Sequence, residues 1–338
     1  MKRTALMINL GSPDAPDKKA VKTYLDEFLM DPCVIDLPYW KRALLVKGII
    51  LNTRPEKSAQ AYQSIWWEEG SPLIVLSQRL LKKVRQHTAV PTYLAMRYGN
   101  PGIEAKVLEV LEAHPGLEEL YVIPMYPHFA MSSYDTVVRK VKAVADQHCP
   151  GVKLVFKSPW YNHPEYIDVL AKSINEHCPE DHHLLLSYHG IPVRHLQKSD
   201  PLGGHSTQSA TCCTDTPASR ATCYDYQVRE TTQALVAALN RDPATVHLSF
   251  QSRLGRDPWL EPFTATVLEE LPARGITNLT VACPAFVTDC LETLEEINME
   301  GQEAYKAAGG HSFVAVPCLN DRDDWAQVLG GWITDSRV

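Results

Sequence analysis

Short apolar runs separated by amphipathic stretches organise this chain, and they come in two similar series. Residues 4–10, 92–99, 120–127 and 153–160 are strand-length apolar runs, each closing on a Gly, a Pro or an aromatic beside one. Helical periodicity fills residues 103–113, and a further helix is predicted to start near Asp17. The second series has strands at 184–188, 245–252, 279–284 and 313–317, with a helix at about 164–177. Continuous apolar runs of this length, broken by turn residues, predict parallel strands buried on both faces. Four strands alternating with helices, twice over, predict an α/β protein of two Rossmann-like, doubly wound domains with parallel four-stranded sheets. The boundaries fall at 1–160 and 161–320, with residues 321–338 as a C-terminal helix or tail. Identity between the halves is too low to establish a duplication.

A length of 338 residues suits two domains with a shared cleft. Hydrophobic residues at 45% and charged residues at 22% are globular values, and no run approaches the length of a membrane span. The opening Met1 to Leu10 has a short apolar run and no small-residue cleavage site, so it is read as a first strand in a cytoplasmic protein. A net charge of −7, with no long Lys/Arg run to offset it, argues against a nucleic-acid partner. Nine Cys in such a chain are thiols or metal ligands before they are disulfides.

Candidate chemistry concentrates in the second half. The run 182–188 leads into His189-Gly190-Ile191-Pro192, which places His189 at the carboxyl edge of a sheet, where open α/β folds bind ligands. Imidazole exchanges protons near neutral pH, although a strand-end His satisfied by a backbone carbonyl would look the same. Beyond the strand at 279–284, a helix starting near Thr288 or Asp289 carries Glu292, Glu296 and Glu300 on one face. Like charges at that spacing oppose helix formation, so this face is either solvated or lines a path for a cation or protons. The loop 251–262 adds Arg253, Arg256 and Trp259, a cation pair that could hold ligand carboxylates. In the first half, Gly11-Ser12 lacks the glycine spacing of a dinucleotide site, and the aromatics Tyr62, Trp66 and Trp67 suit a flat apolar ligand or ordinary packing. The mixed apolar and basic stretch 39–51 either packs on its domain or forms an amphipathic lid that touches a lipid surface.

Three of these stretches together resemble the ferrochelatase family: Leu-Ser-Tyr-His-Gly-Ile-Pro at 186–192, Gln-Ser-Arg-Leu-Gly-Arg-Asp-Pro-Trp-Leu at 251–260, and Asp-Cys-Leu-Glu-Thr-Leu-Glu-Glu-Ile at 289–297. The similarity runs from Asn9 to about Asn320. It implies two chelatase-type domains with protoporphyrin IX held in the cleft between them, and ferrous iron as the second substrate. Insertion requires loss of two pyrrole protons, so the resemblance implies a base on one face of the macrocycle and a metal route on the other. His189 would be the proton acceptor or metal-presenting ligand, with Glu292 as its partner across the ring. Glu296 joins the catalytic set and, with Asp289 and Glu300, continues a relay for protons or iron. Leu10, Tyr62, Ser71, Arg97, Tyr98, Tyr126 and Trp259 match positions around the porphyrin. Leu10 stands where coproporphyrin-using members tend to carry tyrosine, which favours protoporphyrin.

The region between Pro192 and Arg229 departs from the common pattern, with Cys212, Cys213 and Cys223 in an insert at about 200–225. Some bacterial members of the family hold a 2Fe-2S cluster through such a segment. Four thiolates are usual and the insert offers three, so His205 or Cys178 would have to complete the set; a structural zinc or a ligand-free polar loop are the alternatives. Three other functional readings stay open: a coproporphyrin ferrochelatase, a chelatase for cobalt or another metal, and a tetrapyrrole carrier without catalysis. The chain is expected to act as a monomer or homodimer, with peripheral membrane contact left open.

Overall fold

The computed structural model describes residues 2–203, 212, 216–255 and 257–335. In the first series β1 (Arg3–Asn9), β2 (Thr92–Met96), β3 (Glu119–Pro124) and β4 (Lys153–Phe156) form one parallel sheet in the order β2-β1-β3-β4. In the second, β5 (His183–His189), β6 (Val246–Gln251), β7 (Asn278–Ala282) and β8 (Ser312–Ala315) form another in the order β6-β5-β7-β8. Each sheet therefore starts in its middle and reverses direction beside its first strand, the arrangement that opens a crevice at the strands' carboxyl ends. The central strands are buried almost throughout, Ala5 to Ile8 in β1 and Leu184 to Leu186 in β5, because helices cover both faces. The expected α/β class with two doubly wound sheets is the fold observed.

The chain divides into two compact units. One comprises residues 1–125, 131–158 and 321–338, the other 126–130 and 159–320. The tail is thus an integral part of the first unit rather than an appendage: in the helix Asp323–Thr334, Trp325, Leu329 and Ile333 are fully buried. Residues 126–130 join the second unit through hydrogen bonds that no local pattern announces. His128 Nε2 meets Thr231 Oγ1 at 2.9 Å, and Phe129 N donates to Gln227 Oε1 at 2.7 Å.

The acid-bearing segment is helical, as its spacing predicts, but its winding differs. Glu292–Gly301 is a π-helix, not an α-helix. Its i→i+5 hydrogen bonds close wider turns, so residues four apart fall short of a full turn instead of passing it. Thr293, Ile297 and Gly301 are buried, on the face adjoining that of Glu292 and Glu296. Ile297 packs in a core with Leu185 of β5, Val281 of β7 and Phe313 of β8, which fixes this helix on the sheet that carries His189. Full burial of a side chain of that size contributes about 1.5–3 kcal/mol.

Candidate active site at the strand ends of the second unit

His189 is the last residue of β5 and is half-buried. Its Nδ1 lies 2.5 Å from the carbonyl oxygen of Gly190. A carbonyl only accepts, so Nδ1 carries the proton and Nε2 keeps its lone pair for a proton or a metal ion. The Tyr224 hydroxyl donates to the His189 carbonyl at 2.8 Å, and the Phe286 ring stands 6.0 Å from the imidazole. Behind this edge the fully buried Tyr188 meets His128 edge to face at 5.6 Å.

The turn after His189 depends on glycine. A Cβ at Gly190 would stand 2.8 Å from the Gln251 carbonyl oxygen and 3.1 Å from Trp259 Cε3. Gly190 N donates to that same carbonyl at 2.8 Å, so the turn is held directly against the end of β6. Trp259 thereby buttresses the histidine turn.

Gln251 is buried, and its amide orientation follows from its partners. Oε1 accepts from Ser187 Oγ at 2.8 Å and from Cys283 Sγ at 3.5 Å, which directs Nε2 to the Glu292 carbonyl oxygen at 3.2 Å. The next residue, Ser252, receives one face of the acid ladder. Its backbone N–H donates to Glu296 Oε1 at 2.7 Å and its hydroxyl to Oε2 at 2.5 Å. Burial raises the Glu296 carboxyl above its ordinary value, the two Ser252 hydrogen bonds pull it back, the Glu292 charge raises it and the His189 imidazole lowers it. Glu296 thus feels both the Glu292 carboxylate and the His189 imidazole. A buried carboxylate beside a second one takes up a proton or a divalent cation in compensation.

Other candidates are placed differently. Glu300 is exposed at the far end of the helix. Asp289 is buried as an anchor instead of joining the ladder: its carboxylate accepts from Thr293 Oγ1 at 2.8 Å, Asn320 Nδ2 at 2.6 Å and Cys318 N at 3.3 Å. Arg253 is exposed and lies over the Phe263 ring at 4.5 Å, and Arg256 falls outside the described residues.

Of the expected porphyrin contacts, Tyr126 and Trp259 are half-buried in this unit, and Leu10 is half-buried in the other. Tyr62, Ser71 and Tyr98 are buried there. Tyr62 packs edge-on against Tyr24 and Trp66, which is the ordinary fate of such aromatics. Arg97 pairs with buried Asp31, and that carboxylate also accepts from Tyr98 at 2.8 Å, Thr136 at 2.5 Å and Cys33 N at 2.7 Å. Desolvation alone would raise Asp31, but the Thr136 and Cys33 hydrogen bonds and the Arg97 charge outweigh it and hold the carboxyl below its ordinary value. The guanidinium is therefore already engaged.

Two of the cysteines named as possible ligands have hydrogen-bond partners in the structure. Cys178 Sγ accepts from Arg241 at 2.9 Å, and Cys223 Sγ caps a helix by accepting from Tyr226 N at 3.5 Å. Among the described residues no three His, Cys, Asp or Glu side chains are grouped to hold a metal ion. Cys213 lies outside the described residues, as does His205.

Two solved structures share this frame of two parallel α/β sheets. SirB from Bacillus subtilis with Fe3+ superposes with a TM-score of 0.54 at 14% identity, covering 98% of this chain and 94% of that one. DR2241 from Deinococcus radiodurans, described as structurally similar to chelatases, gives 0.50 at 12% identity over 99% of this chain and 55% of its own. At such identities the likeness concerns the fold alone. In sequence, the ferrochelatase family model matches residues 2–337. The ferrochelatase of Azotobacter vinelandii (strain DJ / ATCC BAA-1303) is 48% identical over 327 residues, 96% of both chains, and that of Stutzerimonas stutzeri (strain A1501) is 48% identical over 329 residues, 96% of this chain and 95% of its own. The chain belongs to the ferrochelatase family.

Proposed function

We propose that the protein inserts ferrous iron into protoporphyrin IX, releasing two protons and forming protohaem. The observation that carries this reading is that His189 ends β5 while the residues at the end of β6, Gln251 and Ser252, hold Glu292 and Glu296, in a chain with this family membership. Two pyrrole N–H bonds break and four Fe–N bonds form, so the macrocycle becomes a dianion as the cation's two charges arrive and the product is neutral. His189 Nε2 takes up pyrrole protons. Glu292 and Glu296 present the metal and carry protons away, with Glu300 as the solvent end of the ladder. A fixed imidazole and fixed carboxylates need little rearrangement when charge moves, which is the form of catalysis a rigid site favours.

The protein acts in the cytoplasm, against a membrane surface. Among the described residues no helix is long and apolar enough to cross a membrane. Tyr39, Trp40 and Leu44 are about two-thirds exposed on the helical stretch that starts at Tyr39, with Lys41 and Lys47 alongside. Aromatic and aliphatic side chains beside lysines suit the interface of an anionic bilayer.

The direct test is anaerobic incubation with Fe2+ and either protoporphyrin IX or coproporphyrin III, followed by absorption spectra. Haem bands with protoporphyrin in preference to coproporphyrin are expected. Preference for coproporphyrin would replace the substrate, and porphyrin binding without insertion of any divalent metal would make the protein a carrier.

A further inference from the structure

The pair Gln251-Ser252 spends its hydrogen-bonding groups on both sides of the candidate site. The Gln251 carbonyl holds the His189-Gly190 turn through Gly190 N, and its side-chain amide reaches the Glu292 carbonyl. Ser252 then places a backbone donor and a hydroxyl on the two different oxygens of one carboxylate. Two donors on two oxygens fix the plane of a carboxylate as well as its position.

This geometry occurs on an unusual backbone. Ser252 has φ +66°, the left-handed region that L-residues other than Gly, Asn and Asp seldom enter. Rotation about the N–Cα bond sets where the Ser252 hydroxyl lies relative to its own N–H, and at this φ the two donors reach the two oxygens of Glu296. A non-glycine residue in that region costs about 1–2 kcal/mol, and such strain persists where the surroundings over-determine it.

We propose that Ser252 is a positioning residue for metal delivery: it acts through Glu296, fixing the carboxylate plane so that the lone pairs not used by Ser252 face the incoming cation. The inference rests on the metal-insertion reading above and assigns a residue to it. A carboxylate held by two donors offers one arrangement of acceptor oxygens, whereas a free Glu side chain must be ordered by the cation itself. Ser252 therefore affects capture of the metal and leaves porphyrin binding untouched.

Ser252→Gly isolates the effect, because glycine adopts the left-handed backbone freely and keeps the N–H donor while losing the hydroxyl. The expected result is a fall of about tenfold in kcat/KM for the metal, the size of one charge-assisted hydrogen bond, with KM for the porphyrin within about twofold of the parent. Zn2+ serves as an air-stable probe beside Fe2+. In a Glu296→Ala background the same substitution should cost nothing further, since its partner is gone. Equal losses for both substrates, no loss at all, or full additivity with Glu296→Ala would overturn the assignment.

Calorimetric binding of Co2+ to the parent, Ser252→Gly and Ser252→Ala proteins gives a second readout that does not need turnover. Weaker binding by both variants supports the assignment; unchanged binding by either overturns it. A parent protein that binds Co2+ through this serine but inserts no metal would refute the functional reading and leave the positioning role standing.

Discussion

Gly190→Ala tests how tightly the histidine turn is held. The added methyl would stand 2.8 Å from the Gln251 carbonyl oxygen and 3.1 Å from Trp259 Cε3. A carbon and a carbonyl oxygen ordinarily approach to about 3.3–3.6 Å, so roughly 0.5 Å of separation has to be found. The oxygen belongs to the backbone of β6, which pairs with β5 from Leu184↔Val246 to His189↔Gln251, and so cannot swing aside as a side chain would. Relief stretches the Gly190 N to Gln251 O bond, worth about 1 kcal/mol, and overpacking adds about 1–3 kcal/mol. The sum is about 2–4 kcal/mol. For a unit of this size each kcal/mol moves the melting temperature by about 2–4 °C, which gives a fall of roughly 4–16 °C by calorimetry. Because the strain falls beside His189, insertion should slow by up to about 100-fold, the cost of a catalytic group misplaced by about 1 Å. A variant melting within 1 °C of the parent and inserting metal at the parent rate would refute both the clash and the claim that this turn sets the imidazole.

Two further outcomes follow from groups away from the reacting centre. Burial pushes the His128 imidazole down to about 3 from its ordinary value of 6.5, so it stays neutral in the folded protein while the unfolded chain takes up a proton first. Its stability contribution is complete above about pH 6.5 and falls as pH drops through the interval between those values. Between pH 6.5 and 5 the parent should lose about 1.6 kcal/mol more than His128→Gln in urea unfolding, and equal losses would contradict the neutral assignment. On the exposed helical stretch, the double substitution of Trp40→Ser and Leu44→Ser should reduce sedimentation with anionic vesicles at least fivefold without changing metal insertion in detergent; unchanged sedimentation would remove that surface from the account.

Much of the architecture was legible because strand length, apolar continuity and Gly or Pro punctuation are local signals. His189 stood out for the same reason, as the side chain on which an apolar strand ends, and the four-residue spacing of the glutamates survives in the structure. The π-winding did not show, since a spacing of four fits a helix slightly tighter or slightly wider than one turn. Ser252 was passed over beside two arginines of its loop because a left-handed residue is invisible in composition. The pairing of Arg97 with Asp31 was not legible, because Asp31 is 66 positions away in sequence and only the fold brings the two together. Tyr62, Ser71 and Tyr98 are buried, and sequence alone does not distinguish a ring or hydroxyl at a pocket wall from one in a core. Asp289 has the chemistry of a relay acid, yet Asn320 and Thr293 use it to fasten the start of the acid helix.

The cooperation of His189 with the carboxylates is tested most directly by His189→Ala, assayed with Fe2+ and protoporphyrin IX under anaerobic conditions, with porphyrin affinity measured on the same preparation by fluorescence quenching. Loss of insertion by at least about 100-fold, the lower range for a positioned proton acceptor, with affinity within about twofold of the parent, is the predicted result. Insertion at the parent rate by that variant would contradict the account.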